Sequence, residues 1–357
     1  MSCALELLPS EILDQIIFFL ITEPPSLGRH NRRPDRHIVQ SNNKDLKNLV
    51  QCSHRLLHVV RPRLFTHACV DLKDERGFKD FILASDLARC VQSLVVISEE
   101  APLDQLKQPW WHRTFSFIDP TRVTVHAPPL FIGNTLDIPI VDANEEAFDI
   151  HLQALQLERE GTPNATSFLP LDNCKNLLQA RPWTSMSINE SSFMKSYSSD
   201  DYFLLQAPSI FKWWSKQIIP ESPSPHISSM IYGLTSFSYT AVLPSYNHVK
   251  LMLDSLSAMP GLQFLSVQLA SDTDDQVQQI RWPGGTNFNY HISWGEFATS
   301  YSLIIYEVVH KQSLVEFQSR DCTLEVIPAD LTSGLDVDLK KEDWVLQGPG
   351  IWRRRKC

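Results

Sequence analysis

The sequence predicts an α+β fold in which a small helical unit at the N-terminus precedes a larger body of strands and helices. Apolar residues recur at helical spacing between residues 7 and 20 and again between residues 44 and 61. Short apolar segments typical of strands then recur along the chain, several of them about thirty residues apart. These observations predict two domains, residues 1–70 and residues 71–357.

Composition and charge exclude few classes of protein, but they make nucleic-acid binding, a disulfide framework and membrane association unexpected. Of the 357 residues, 43% are hydrophobic and 20% are charged, and the formal net charge is −9. A general nucleic-acid-binding protein is more often basic, so no nucleic-acid partner is expected. The 7 cysteines are widely spaced, which favours reduced thiols in the cytoplasm or the nucleus. No apolar run has the length of a secretory signal or a membrane span, so no membrane association is expected.

The first predicted helix begins near Pro9 and carries one apolar stripe. Proline is tolerated at a helix start because the N–H that it lacks would be unpaired there. Ser10 is suited to cap this helix. Ile12, Ile16 and Leu20 recur every four residues, so the sequence predicts that they share one face.

A segment rich in proline and arginine, about residues 22–43, interrupts the helical pattern; it is called the insert below. Pro24, Pro25 and Pro34 oppose regular structure, and Arg29–His37 is basic. Such a segment is suited to contact an acidic partner or to act as a nuclear signal. A solvated surface loop is the favoured interpretation.

A second helical stretch runs from Lys44 to Arg61. Ser53 is placed to restart a helix after a bend. We expect Pro62 to end the stretch, because a residue that precedes proline avoids helical backbone angles. A strand is predicted at residues 68–72.

The order of these motifs resembles an F-box, most closely the F-boxes of filamentous-fungal proteins. The motifs are Leu8-Pro9-x-Glu11-Ile12-x3-Ile16-x3-Leu20, then Asp45-Leu46-x2-Leu49-x2-Cys52-Ser53-x2-Leu56, then Arg61-Pro62-x-Leu64-Phe65. The insert makes the connection between the two halves longer than in a short F-box. Loop insertions cost little entropy, so the resemblance tolerates this difference.

The resemblance implies a three-helix F-box that packs on the Skp adaptor of a cullin-RING ubiquitin ligase. The chain would then be a substrate-recognition subunit of SCF type, with no catalysis and no cofactor, and its body would bind an unknown target protein. Leu8, Pro9 and Ile12 would lie at the adaptor contact. The other implied adaptor-binding residues, some of which also build the core of the domain, are Ile16, Leu49, Val50, Leu56, Val60 and Leu64.

Other interpretations of the helical unit remain open. The helices can form a hairpin that packs on the rest of the chain and caps a repeat scaffold with no ligase function. The chain can also be a hydrolase whose active-site residues are dispersed in the sequence.

The apolar segments of the body have the shape L-x-x-L-x-L, which is typical of the strand in a leucine-rich repeat. They are Val91–Val96, Leu152–Leu157, Leu234–Tyr239 and Leu262–Val267, with Val123–Val125 as a partial copy. Helix-like stretches lie at residues 78–89 and 249–259. The favoured interpretation is an irregular, leucine-rich-repeat-like α/β solenoid. The alternative is an α+β domain with a mixed sheet, because residues 158–235 and 272–296 show no clean repeat.

No catalytic or metal-binding motif stands out. The sequence has no nucleophile elbow, no P-loop and no dinucleotide-binding glycine pattern. His54 and His58 share a helix face, but Arg55 lies where a zinc protease needs a glutamate. The acidic run Asp272–Asp275 lacks the glycine and the closing glutamate of a calcium loop. Neither feature predicts a metal site.

Two tryptophan pairs and the C-terminal segment complete the candidate features. Trp110–Trp111 and Trp213–Trp214 are suited either to anchor a partner or to pack in the core. Trp352 follows a Gly-Pro-Gly turn, so we expect the terminal segment to dock on the body. The basic tail Arg353–Lys356 is interpreted as a solvated terminus.

Overall fold

The computed structural model describes residues 4–20, 32, 34, 43–99, 109–140, 148, 150–161, 174–193, 206–218, 231–271, 290–324 and 330–355. Within these residues the α-helices are α1 (Ser10–Leu20), α2 (Lys44–Leu49), α3 (His54–Leu64), α4 (Glu75–Ala84), α5 (Trp110–Phe115), α6 (Pro129–Thr135), α7 (Phe211–Ile218), α8 (Tyr246–Leu256), α9 (Tyr290–His310) and α10 (Asp330–Lys340). The strands are β1 (His67–Asp71), β2 (Ser93–Ile97), β3 (Arg122–Ala127), β4 (Gln153–Glu158), β5 (Ser185–Ser192), β6 (Ser236–Val242), β7 (Phe264–Gln268), β8 (Glu316–Ser319), β9 (Trp344–Gly348) and β10 (Ile351–Arg354).

All ten strands join one mixed sheet, in the order β1-β2-β3-β4-β5-β6-β7-β8-β10-β9. Strands β1 to β3 are parallel to one another, and so are β5 to β8. Strand β4 is antiparallel to both of its neighbours, and β10 is antiparallel to β8 and β9. The carboxyl ends of β1–β3 and β5–β8 therefore lie at the same edge of the sheet, which is called the carboxyl edge below.

The predicted α+β class is confirmed, but the sheet is not a solenoid. A repeat solenoid stacks similar units so that each contacts its neighbours in the same way. The reversed strand β4 and the antiparallel pair β9–β10 break that regularity. The described strands instead form the mixed sheet of the alternative interpretation.

One face of the sheet, the apolar face, carries the main core. Side chains alternate between faces along a strand, and β6 shows this as Ser236-Phe237-Ser238-Tyr239-Thr240. Strand pairing aligns one buried apolar row across eight strands: Leu94, Val123, Leu157, Met186, Phe237, Leu265, Phe317 and Trp352. Helices α4 to α10 complete this core with Ile82, Trp110, Phe131, Phe211, Met252, Ile304 and Leu339, among others.

The opposite face, the polar face, carries hydroxyl and amide side chains. Its central row is Thr124, Gln156, Ser187, Ser238, Ser266 and Gln318. Neighbouring members bond to each other, since the Thr124 hydroxyl donates to the Gln156 amide oxygen over 3.1 Å. The row nearer the carboxyl edge contains His126, Ala154, Asn189, Thr240 and Gln268.

Candidate adaptor-binding surface

Helices α1, α2 and α3 pack together into a helical unit with a small interior of its own. Ile17, Leu46 and Val60 form a buried cluster separate from the main core. Its partly buried surround is Leu20, Leu49, Val50, Val59 and Leu64. A core this small cannot cover every apolar side chain that the three helices carry.

Helix α1 is apolar on more than one face, which the single predicted stripe did not capture. The side chains that α1 buries are Leu13 and Ile17, whereas in the predicted stripe Ile12 is exposed and Ile16 and Leu20 are half-buried. The large apolar side chains left exposed around this helix are Leu7 (72%), Ile12 (41%), Phe18 (70%) and Phe19 (84%). An apolar surface of this kind on a folded protein is typical of a binding site.

The predicted bend at Ser53 separates α2 from α3. The Ser53 hydroxyl accepts a hydrogen bond from the Leu56 amide over 3.3 Å and caps α3. The expectation that Pro62 ends the helix is wrong, because α3 continues to Leu64. Only the proline's own N–H is missing from the last turn, and the Phe65 amide still donates to the Arg61 carbonyl over 3.2 Å.

A long side chain ties α3 to the start of α1. Arg55 Nη2 donates to the Leu8 carbonyl oxygen over 2.7 Å, across 47 residues of sequence. This bond holds the segment before α1 against the N-terminal turn of α3. Pro9 is joined directly to α1, since its carbonyl oxygen accepts from the Ile12 amide over 3.2 Å.

The nine residues predicted to bind an adaptor occupy three environments. Pro9 and Ile12 are exposed. Those that are half-buried are Leu8, Ile16, Leu49, Val50 and Leu64. Leu56 and Val60, which were expected with Ile16, Leu49 and Val50 to divide between the contact and the core of the domain, are buried, at 2% and 0% exposure. They are interior residues of the helical unit and act by holding α3 in place.

The helical unit contacts the body through the C-terminal end of α3. Arg61 Nη2 donates to the Ser85 hydroxyl over 2.6 Å, and its guanidinium lies 5.2 Å from the centre of the Phe81 ring. Phe65 packs on the same ring at 5.2 Å. These contacts leave the exposed side of α1 uncovered by α4.

Two buried carboxylates in the body bind their neighbours rather than facing a solvent-filled site. Glu190 at the end of β5 accepts from the Tyr239 hydroxyl over 2.9 Å and lies 2.6 Å from His248 Nε2. Burial, and then the charge of Glu190, raise the pKa of Tyr239 well above its ordinary value. This cluster joins α8 to β5 and β6.

The second carboxylate, Asp321, lies just beyond the carboxyl end of β8. It accepts hydrogen bonds from the Leu269 and Ala270 amides over 2.7 and 3.0 Å and from the Tyr301 hydroxyl. Burial raises its pKa to about 6, although these three donors act in the opposite direction. The cluster joins α9 to the carboxyl edge, and sequence patterns gave no sign of it because its members are widely separated.

The remaining candidate features fall into the core, the surface or the part of the chain outside the described residues. Trp110, Trp111 and Trp214 are buried, and Trp213 is partly buried against the core. Among the described residues, no three His, Cys, Asp or Glu side chains lie close enough together to hold a metal ion. His54 and His58 are exposed. The acidic run at 272–275 lies outside the described residues.

The C-terminal segment docks on the body as expected. Trp352 is buried, and its strand β10 pairs with β8. Of the helices in the described residues, none combines the length and apolar character needed to cross a membrane.

Comparisons with known proteins identify no relative of this chain. No protein-family model matches the chain, and no curated protein or solved structure is detectably similar to it.

Proposed function

We propose that this chain is the substrate-recognition subunit of an SCF-type cullin-RING ubiquitin ligase. Residues 1–70 are then an F-box that binds the Skp adaptor, and residues 71–357 bind a target protein. The chain itself catalyses no reaction. It raises the concentration of the target beside the ubiquitin-loaded enzyme, in the cytoplasm or the nucleus.

The observation that carries this proposal is the exposed apolar surface of α1. Ile12 and Phe19 point away from an interior that Leu13 and Ile17 already fill. Burying one such side chain against a partner contributes about 1.5–3 kcal/mol. Several together supply the apolar centre that an interface of about 1,600 Å² requires. The motifs that resemble an F-box cover this same surface, at Leu8, Pro9 and Ile12.

A scaffold without ligase function is the second candidate, and the contacts between the helical unit and α4 favour it. A helical unit that only caps the body needs contacts with the body and no others. Arg61 and Phe65 make contacts of this kind with α4 and the residue after it. Those contacts use one end of α3, however, and do not account for the exposed side chains of α1. The adaptor experiment distinguishes the two candidates.

We expect purified full-length chain to capture purified Skp adaptor, and Ile12→Asp to reduce capture at least about tenfold, since a carboxylate would enter an apolar interface. Leu8→Ala combined with Pro9→Ala should weaken capture in the same direction. Binding is measured by pull-down and by calorimetry.

Val337→Asp is the matched control for this experiment. Val337 is 58% exposed on α10, in the body, so it receives the same change of charge outside the helical unit. It should bind adaptor as the wild type does. Absence of adaptor binding by the wild-type chain, or full binding by Ile12→Asp, would refute the ligase proposal.

A further inference from the structure

Arg320 directly follows β8, and its side chain lies on the polar face of the sheet. Its Nε donates to the Ser266 hydroxyl of β7 over 3.1 Å. The Ser266 hydroxyl in turn donates to the Gln318 amide oxygen over 3.4 Å. These two bonds fix the orientation of the guanidinium and leave its two terminal Nη groups as donors. The pair of Nη groups is called the Arg320 fork below.

The positive charge of Arg320 is half-buried and has no counter-ion among the described residues. Burial lowers the pKa of Arg320 below its ordinary value. Glu316, on the same strand, is paired with Arg353 instead. The adjacent Asp321 accepts from the Tyr301 hydroxyl. A partly buried charge that lacks a partner is costly, and groups perturbed in this way are more frequent at functional sites.

Four serine hydroxyls lie beside the Arg320 fork on two neighbouring strands. Strand pairing sets Ser185 and Ser187 of β5 opposite Ser236 and Ser238 of β6, and all four lie on the polar face. Ser238 is also in register with Ser266, which holds the fork. None of the four hydroxyls, called the serine array below, bonds to another group in the part of the chain that the structure describes. Each hydroxyl can donate and accept, so the array suits both polar groups of a peptide backbone.

Longer side chains border the serine array on both sides. Gln156 and Glu158 of β4 lie on one side, and the half-buried ring of Phe264 of β7 lies on the other. Neighbouring strands are about 4.8 Å apart, so β4 and β7 are separated by roughly 14 Å, enough for one extended peptide. The Glu158 carboxylate is paired with Arg122 over 2.8 Å, so it does not oppose the charge of the fork.

We propose that the Arg320 fork and the serine array form a docking surface for an extended peptide that carries one Asp or Glu. The carboxylate binds the two Nη groups in the paired geometry that guanidinium and carboxylate favour, and the peptide backbone lies over the serine array. The chain has a net charge of −9, so it holds an acidic peptide only where a local cation attracts it. That this peptide is a segment of the target protein rests on the proposed function, whereas the docking surface itself does not.

A library of short synthetic peptides, varied at every position, tests the surface with the full-length chain. Wild type should enrich Asp and Glu at one position. For the tightest peptide, fluorescence anisotropy should show at least about tenfold weaker binding when that acid is replaced by its amide, because charge-assisted hydrogen bonds are lost. Arg320→Gln should weaken binding of the acidic peptide equally and leave binding of the amide peptide unchanged.

Three further variants separate the fork from a general effect of charge. Arg89→Gln makes the same change at an exposed arginine between α4 and β2, so this matched control should bind as wild type does. Arg320→Lys keeps the charge but loses the fork, so its affinity should lie between those of wild type and Arg320→Gln. Ser266→Ala removes the acceptor that orients the fork and should weaken binding by about threefold to tenfold. Circular dichroism shows whether each variant is folded.

A phosphoserine in place of the acid distinguishes a carboxylate from a phosphate. The fork is a single cation and phosphate carries nearly two charges, so this change should not tighten binding. The docking surface is overturned if no position is enriched in Asp or Glu, or if phosphoserine binds at least about tenfold more tightly. Wild-type affinity of Arg320→Gln for the acidic peptide would overturn it as well.

Failure of this inference is separable from failure of the ligase proposal. Capture of the Skp adaptor depends on α1, so Arg320→Gln should leave it unchanged. Binding of the acidic peptide by a chain that does not bind adaptor would refute the ligase proposal alone. Adaptor binding by a chain that does not bind acidic peptides would refute the docking surface alone.

Discussion

At the scale of single residues, Asp321 makes folding stability depend on pH. Its pKa is raised from 3.8 to about 6 in the folded protein, chiefly by burial. A group whose pKa is higher when folded stabilises the fold below its unfolded pKa, and this contribution is lost as pH rises through the folded pKa. A difference of about two pKa units corresponds to about 3 kcal/mol.

We therefore expect the free energy of unfolding of wild type, relative to Asp321→Asn, to fall by about 3 kcal/mol between pH 3.8 and pH 7. The variant removes the titration, and subtracting its curve removes the contribution of other groups. Urea denaturation at several pH values measures the difference. Tyr301→Phe is a second variant that keeps the carboxylate but removes one donor, so it should shift the transition to higher pH. A difference that stays constant across this pH range would contradict the prediction.

At the scale of elements, the β9–β10 hairpin depends on Gly350. This residue has a φ of 68°, and a Cβ placed there would collide with the Ser319 carbonyl oxygen. Gly350→Ala should therefore destabilise the protein by about 2 kcal/mol or more, because both the backbone angle and the close approach to β8 are lost. The midpoint of urea denaturation measures this change.

Gly334 on α10 provides the matched control for that substitution. A Cβ at Gly334 meets open space, and the residue is exposed within a helix. Gly334→Ala should stabilise the protein by up to about 1 kcal/mol, since alanine is the better helix former. Equal effects of the two substitutions would show that the turn tolerates a side chain.

The elements also show what sequence patterns predict well. The repeated L-x-x-L-x-L segments correspond to β2, β4, β6 and β7, and the partial copy corresponds to β3. Helices α4 and α8 lie close to the two helix-like stretches. Strand β5 was missed because only Met186 and Ile188 supply its apolar positions. Their simple alternation with Ser and Asn lacks the L-x-x-L-x-L spacing that the other predicted strands share.

Helix α9 was missed for a different reason. It is largely apolar on several sides, and its buried positions include Ser293 and Ser300. Its exposed positions include Ala298 and Tyr306 rather than a row of charged residues, so its two faces differ little in polarity and no stripe identifies it. The direction of a strand is equally invisible in an apolar pattern, which explains why the reversal of β4 could not be predicted.

The candidate site was predictable at the level of its segment rather than its residues. The motifs located α1 and α3, but they did not separate contact residues from interior ones. Leu56 matches the motif as well as Ile12 does, yet Leu56 is buried and Ile12 is not. The insert gave no signal that Arg32 would reach Asn189, because that contact depends on how the whole chain is folded.

At the scale of the whole molecule, the two separate cores predict that the helical unit and the body differ in stability and can unfold separately. Leu46 belongs to the small cluster of the helical unit, whereas Leu265 belongs to the main core. Each substitution to alanine should cost about 2–5 kcal/mol of the stability of its own core. Leu46→Ala should therefore accelerate amide hydrogen exchange in residues 44–64 and leave β5 to β7 protected.

Leu265→Ala is the comparison for this experiment. It should accelerate exchange throughout the sheet, because β7 lies within it. Equal acceleration of α2, α3 and the sheet strands by Leu46→Ala would show instead that the helical unit and the body unfold together.

The order of the strands also bears on how the polypeptide acquires its shape during translation. From β1 to β8, each strand pairs with the one made just before it. Partners therefore emerge from the ribosome in sequence, and each new pairing closes only the loop since the last one. The exception comes at the end, where β10 inserts between β8 and β9. Strand β9 has no neighbour in the sheet until β10 has been synthesised, so β9 can join the sheet only after β10 has left the ribosome.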